Sequence, residues 1–499
     1  MIVRLACKIS GRGSRIHRQP GGSILLGGNS VALSGNSRPL TAAHAAWSRR
    51  RFLNETSVLA GSTLVASPVA QTTVIGTDVN PQRPKVAALF THFTAGSHSD
   101  VILENFLEPY VFNGQRHTSP CDVVSFYIDK FPRKEDGDTA ERVIGLGAED
   151  IGRDVAKSYG IPLYSTIAEA LCLGTCELAV DAVLSIGEYG YRPISALSDR
   201  EFPRRRFLNE MVAVMRRSNR VVPVFNDKNF TYRWDWGKEM FETARRAGIP
   251  LMAGSSVPLA ERRPALALSP GAPIEELVTV HGGSLEGYDY HGVELLQSLA
   301  EGRQGGETGI SRVQQLAGDA VWKAADEGRW SVPLAEAALE AGFATRRLAI
   351  RKLVSTPPRA ILIDYADGVR GAVLGFGGAG FCAACRLKGE QTPRAASFYG
   401  GPWRSRGLFP ALAHAIQAFF VTRRPPYPAE RTLLAGGTVD AAMHSYHQGG
   451  VPVPTPHLQF GYPAVDWSDF CETGQTWQQL PPGTPPPAGL RKGPRTRVK

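Results

Sequence analysis

Two hydrophobic periods alternate along residues 154–188, DVAKSYGIPLYSTIAEALCLGTCELAVDAVLSIGE. Ala156 and Tyr159 end a helical face that Gly160 stops. Ile161-Pro162-Leu163-Tyr164 then reads as a short strand, and Ser165 or Thr166 caps the next helix, with Glu169 in its first turn. Asp181 opens Ala-Val-Leu-Ser-Ile, a strand apolar on both sides, and Gly187 closes it. An uninterrupted apolar strand between helices predicts a parallel sheet covered on both faces. Ligands of such sheets sit at the carboxyl ends of the strands. The loop Gly187-Glu188-Tyr189-Gly190-Tyr191 is therefore a candidate pocket wall.

The same periods place further elements. Lys85–Phe90 and Asp122–Ile128 read as the first two strands, with an insertion from Asn105 to Cys121. Val221–Phe225 is another buried strand; a helix from Trp236 to Ala247 and a strand Ile249–Met252 complete a first domain, with Gly254-Ser255-Ser256 as a hinge. Beyond it come a strand Ile274–Val280, a hairpin turning at Asp367-Gly368, and strands around Phe381–Arg386 and Ala396–Tyr399. Helices Leu412–Phe420 and Thr438–Tyr446 follow, separated by Pro425-Pro-Tyr-Pro428. The fold class is α/β: a Rossmann-like doubly wound parallel sheet over 84–254, then an α+β domain with an open, mostly antiparallel sheet over 255–470. Residues 471–499, Pro-rich and basic towards the end, are expected to be disordered.

Charge refines this picture. The chain of 499 residues carries a formal +10. Residues 1–70 hold nine Lys/Arg and one Asp/Glu, and residues 491–499 hold five Lys/Arg and no acid. Subtracting +8 and +5 from +10 leaves −3 for the part that folds, so no basic nucleic-acid face is expected. Seven cysteines give no disulfide framework, and Cys382-Ala-Ala-Cys385 reads as two core cysteines on a strand.

The basic start has its own order. Ser48-Arg49-Arg50-Arg51-Phe52-Leu53 looks like a twin-arginine signal, followed by an uncharged stretch from Thr56 and the small-residue run Ala66-Ser-Pro-Val-Ala70. The apolar part is too short for a stable membrane anchor. Arg-Arg-Arg-Phe-Leu-Asn-Glu recurs at 204–210, where an amphipathic charged helix follows, and that copy reads as structural. Residues 1–70 are thus expected to be a leader read by the twin-arginine export machinery, with an extracytoplasmic, periplasmic destination.

Candidate chemistry lies at the strand ends. After Phe90 comes Thr91-His92-Phe93-Thr94-Ala95-Gly96-Ser97-His98, where a dinucleotide enzyme puts G-x-G-x-x-G or G-x-G-x-x-A. The free N–H groups of the helix that opens there are an anion site at Ala95, Gly96 and His98. Asp129 stands where an acid grips a ribose hydroxyl, or is a solvated strand-end acid. Asn226-Asp227-Lys228 ends another strand, and a lysine there can polarise an alcohol. A Gly-rich turn from His281 opens a helix with His291 and Glu294 one turn apart. His92 and His98 also allow a metal reading, or a polar loop lining a cleft.

The "YGIP.Y" helix end, the "TIAEAL" helix and the "VDAVLSI" strand resemble the nucleotide-binding domain of the glucose-fructose oxidoreductase / inositol dehydrogenase (Gfo/Idh/MocA) family. The likeness extends more weakly over about residues 84–450. It implies an NAD(P)-dependent oxidoreductase acting on a sugar or cyclitol, with NAD or NADP as cofactor, and it allows a homo-oligomer. Phe90 and His92 fall on the family's first two glycines, a departure from its pattern. Lys228 matches the lysine of the family's Glu-Lys-Pro motif, Asp227 stands for the acid and Asn229 for the proline. His291 falls on the family's proton acceptor and Glu294 replaces an aspartate. With Gly187 and Glu188, these make up the expected site. Two other readings stay open: a non-catalytic carbohydrate-binding protein on the same fold, and a metal-dependent enzyme using His92 and His98.

Overall fold

The computed structural model describes residues 83–129, 150–188, 194–343, 350–353, 357–377 and 379–494. The expected leader, Tyr189-Gly190-Tyr191 and the last five residues lie outside them. Contacts divide the chain into Met1–Asp78 and Val79–Lys499; only the second unit is described.

Its first strands are β1 (Lys85–Phe90), the small hairpin β2 (Tyr110–Phe112) and β3 (Gln115–His117), β4 (Asp122–Ile128), β5 (Leu163–Tyr164), β6 (Ala182–Ile186), β7 (Val224–Asp227) and β8 (Leu251–Gly254). Six of them form one sheet in the order β5-β4-β1-β6-β7-β8, parallel throughout. This is the doubly wound order, with its crevice where β1 and β6 diverge. The period-2 pattern of β1 feeds two cores. Val86, Ala88 and Phe90 face α1 (His98–Leu107) and α2 (Gly152–Tyr159). Ala87 and Leu89 face α3 (Ile167–Cys172), α4 (Arg204–Arg217) and α5 (Trp234–Arg246). Gly160 ends α2 in the left-handed conformation, φ 65°. Thr166 caps α3 in a full capping box with Glu169, so the threonine and not Ser165 is the cap.

The second sheet has β9 (Glu261–Arg263), β10 (Ile274–His281), β11 (Ile310–Ala317), β12 (Arg359–Tyr365), β13 (Arg370–Gly375), β14 (Cys382–Leu387), β15 (Arg394–Tyr399) and β16 (Val453–Pro454). Its order is β16-β11-β12-β13-β10-β14-β15-β9, antiparallel except for β10 beside β13. The core of α6 (Gly287–Ala300) covers one face. On the other lie α7 (Asp319–Asp326) and α8 (Val332–Phe343). Two long helices close the chain, α9 (Phe409–Thr422) and α10 (Ala429–His447). The second starts directly after Pro428, nine residues ahead of the sequence expectation. Ala429, Leu433 and Leu434 carry the apolar face that Gly436-Gly437 obscures in the pattern.

The C-terminal segment departs from expectation most. As far as Pro494 it lies against the fold. Glu472 N–H donates to Leu259 O (2.9 Å), Trp403 Nε1–H to Thr484 O (2.9 Å) and Leu490 N–H to Asp100 Oδ1 (3.2 Å). Leu490 is completely buried, and its segment packs against α2. Its prolines carry no N–H, so an extended strap can cross a surface without ladder partners, held by a few apolar anchors.

Leu490→Ala is expected to lower unfolding stability by about 2–5 kcal/mol in urea titrations. A change inside about 0.5 kcal/mol, the ordinary size for an exposed residue, would mean the strap is undocked in solution.

Candidate active site

The carboxyl ends of β1, β6 and β7 and the start of α6 enclose one cavity. Gly96, His98, Glu188, Arg200, Phe202, Arg204, Lys228, Ser256, Glu286, Tyr288, His291, Phe381 and Phe409 line it. Its volume is about 110 Å³, on the order of ten water sites, which suits a small molecule and not a polymer.

Charge is concentrated on the parallel-sheet side. Lys228 Nζ donates to Glu188 Oε1 (2.8 Å), and Arg204 pairs with Glu188 Oε2 and donates to Asn229 Oδ1 (2.9 Å). Burial alone raises the Glu188 carboxyl, but Lys228, then Arg204 and His98, hold it down at about 2. Gly187 permits this packing: a Cβ there would stand 2.7 Å from Arg204 Cγ. His98 Nδ1 lies 2.6 Å from Asp227 Oδ2, and Asp227 is fully buried behind it.

The second domain contributes the other half. His291 Nδ1 lies 2.9 Å from Ser255 Oγ. Ser255 in turn donates its hydroxyl to Glu294 Oε2 and its N–H to Oε1 (2.8 Å). A hydroxyl that donates to the carboxylate must accept from the ring, so Nδ1 carries the hydrogen and Nε2 is the free acceptor. Burial, with Lys228, His98 and His281 adding repulsion, holds His291 well below its ordinary 6.5, so the ring is neutral at pH 7. Burial raises Glu294 against the two bonds from Ser255. Gly254 is the glycine this arrangement requires: its φ is 135°, and a Cβ would meet Glu294 Oε1 at 2.5 Å.

Two residues in the left-handed half of backbone space point to a site under constraint. Lys228 has φ 62°, and Glu286 has φ 62° with ψ −71°. Gly287 N–H bonds Leu285 O (2.8 Å), making Glu286 the centre of a positive-φ γ-turn, a strained form. The turn aims Glu286 into the cavity, where burial and the nearby Glu188 push its carboxyl up to about 7. The apolar wall opposite is Tyr288 against Phe381, rings 6.0 Å apart and 6° from parallel.

Several expected residues converge here: Gly96, His98, Glu188, Lys228 and His291 line the cavity, with Gly187, Asp227 and Glu294 directly behind. Ala95 and Asp129 do not line it. Asp129 is taken by Arg206 and by Tyr127 Oη–H (2.8 Å), so its carboxylate serves the α4 packing. His92 lies outside the lining, and among the described residues no group of three His, Cys, Asp or Glu is placed to hold a metal ion. Sequence reasoning missed Arg200, Arg204, Glu286, Tyr288 and Phe381. Arg204 belongs to the second Arg-Arg-Arg-Phe copy, read as a structural helix; it does start α4, but its buried guanidinium serves the site. Glu286 and Tyr288 sit in the Gly-rich turn already singled out. Phe381 has no local mark.

The turn after β1 is built differently from a phosphate cradle. Gly96 N–H is already bonded to Asp100 Oδ2 (2.8 Å), a first-turn carboxylate also held by Arg406 (3.0 Å) and by Leu490 N–H. Asp150 Oδ1 accepts Gly152 N–H (2.9 Å) at the start of α2, and Ile151 N–H bonds Phe93 O (2.8 Å) over the turn. One backbone donor of this turn, the Gly96 N–H, is therefore already taken by the chain's own carboxylate.

No protein-family model and no curated protein matches the chain. Among solved structures it is similar to GenD2 from gentamicin A biosynthesis in complex with NAD, at 14% identity and TM-score 0.46 over 79% of this chain and 99% of that one. It is similar to scyllo-inositol dehydrogenase from Lactobacillus casei (8%, TM-score 0.43, 75% and 98%). A third is myo-inositol 2-dehydrogenase from Lactobacillus plantarum (10%, TM-score 0.43, 75% and 99%).

A carboxyl raised in the fold binds its proton more tightly there than in the unfolded chain. The stability Glu286 contributes this way is full below about pH 4.5 and lost as pH rises through about 7. Urea unfolding of wild type and Glu286→Gln at pH 5 and pH 8 should therefore show the wild type losing ground to the variant at the higher pH. His291 works in the opposite direction but is common to both proteins. A difference independent of pH would refute the shift.

Proposed function

We propose that the chain is an oxidoreductase-type protein that binds a sugar or cyclitol in this cleft, with NAD or NADP as the group that would accept hydride from the carbinol carbon. The observation that carries the reading is the Glu294–Ser255–His291 relay ending on a neutral ring nitrogen beside Lys228. His291 Nε2 takes the proton of a substrate hydroxyl. Its positive charge is then stabilised by the Ser255 hydroxyl dipole and Glu294. Lys228 has three N–H donors, uses one on Glu188 and keeps two for the same oxygen. Tyr288 and Phe381 offer an apolar face to the C–H side of a ring.

One observation favours a second reading, a carbohydrate-binding protein without turnover: Asp100 already holds the Gly96 N–H where a nucleotide phosphate would dock. Purified protein folded in the cytoplasm separates the two. After denaturation, the first reading expects about one NAD(H) or NADP(H) per chain. It also expects His291→Ala to slow turnover by about 10²–10⁴-fold. No nucleotide, with saturable stabilisation by sugars, leaves the second reading. No response to either ligand overturns both.

The leader supports export by the twin-arginine route, which carries folded proteins to the periplasmic side. Replacing Arg49 and Arg50 by lysine is expected to leave the protein in the cytoplasm of a host with that machinery, measured by cell fractionation. Unchanged export would overturn this assignment.

A further inference from the structure

One cation of the cleft is left without a partner among the described residues. Arg200, Arg204 and Lys228 line it, against the carboxylates of Glu188 and Glu286. Glu188 is shared by Arg204 and Lys228. Glu286 accepts a backbone N–H in the capping box of α6. Arg200 is half-buried, and its guanidinium has no hydrogen bond or ion pair with any described residue. Its neighbour Asp199 does not serve it; that carboxylate accepts from Ser195 Oγ–H (3.0 Å). An unpartnered guanidinium on a residue that lines a small cavity is the group that planar anions recognise, through two parallel N–H bonds.

We propose that the ligand is a carboxylated polyhydroxy compound, a sugar acid, whose carboxylate pairs with Arg200 while its ring rests on the Tyr288–Phe381 wall. This rests on the sugar-site reading above and narrows it. A single open guanidinium offers one planar fork of two parallel N–H donors, which the two oxygens of a carboxylate satisfy. The acid group would also fix which hydroxyl faces His291. A neutral sugar bound through hydroxyls alone lacks that orientation.

The test is titration calorimetry of the full chain in low salt. The probes are glucose, galactose and myo-inositol against glucuronate, galacturonate and gluconate, with glucose 6-phosphate as the phosphate arm. At least one acid should bind about tenfold or more tightly than its neutral counterpart. Arg200→Gln should bring the acid-to-neutral affinity ratio down to about one, and Arg200→Lys should restore only part of it. Acids and neutral sugars binding equally would overturn the acid assignment and leave the sugar site standing. An acid preference that survives Arg200→Gln would overturn the role of Arg200. Preference for the phosphate would overturn the carboxylate. Binding of none of the seven would remove both the assignment and the sugar site.

Discussion

Everything at the cleft hangs on how α10 is seated, and its seat is a buried ion pair. Arg431 donates through Nε to Glu301 Oε2 (2.8 Å) and pairs again with Oε1. Its guanidinium lies between the rings of Tyr427 and Trp467, 4.4 and 4.5 Å from their centres. Tyr462 Oη–H (3.0 Å) and Trp467 Nε1–H (3.1 Å) complete the carboxylate. Such a pair adds little net stability compared with an apolar replacement, because both charges leave water. Removing one partner is costly, since the other is then buried alone. Its value here is registry. The next residue, Thr432, donates to Ala253 O (2.8 Å), two residues before Ser255. The hinge that presents Ser255 to His291 is therefore positioned from the second domain.

That coupling explains how two domains make one site. Lys228, Glu188 and Arg204 are fixed by strands and a helix of the parallel sheet, while His291 and Glu294 ride on α6. A sliding motion between the halves would separate His291 from Lys228, which line the same cavity. The buried Glu294 carboxylate is bonded across the boundary by Ser255 and crowds Gly254. The boundary is thus polar at its centre and specific in register. An apolar boundary would tolerate many relative positions of the domains.

Much of the parallel sheet was legible because burial on both faces writes long apolar runs into the sequence. Ala182–Ile186 is such a run. Strand limits at Val224 and Leu251 fall two or three residues later than the pattern suggests, since Pro223 and Pro250 precede them and still contribute carbonyls to the ladder. Helix α8 and strand β11 went unread: Val332–Phe343 is apolar almost all round, which blurs a 3.6-residue period, and Ile310–Ala317 carries arginine and glutamine on its open face. At the site, Lys228 and His291 were legible from their places after a strand and in a helix. Arg200 and Phe381 were not, because only the folded chain brings them beside those residues.

The fold and the chemistry of its first turn point in different directions, and the structure contains the physical reason. A glycine-rich turn leaves helix N–H groups open to an outside anion. Here Phe90 and Phe93 are buried and pack against Phe126 beneath the turn. Asp100 supplies the negative charge from within the helix, and the strap residue Leu490 secures Asp100 from outside. The Asp100 carboxylate thus closes the turn just ahead of the helix from within the chain. Elsewhere in the cleft, among the described residues, polar groups stay open. Arg200 keeps open donors, Lys228 keeps two, and His291 keeps an open acceptor, the polar groups by which the proposed ligand would be held.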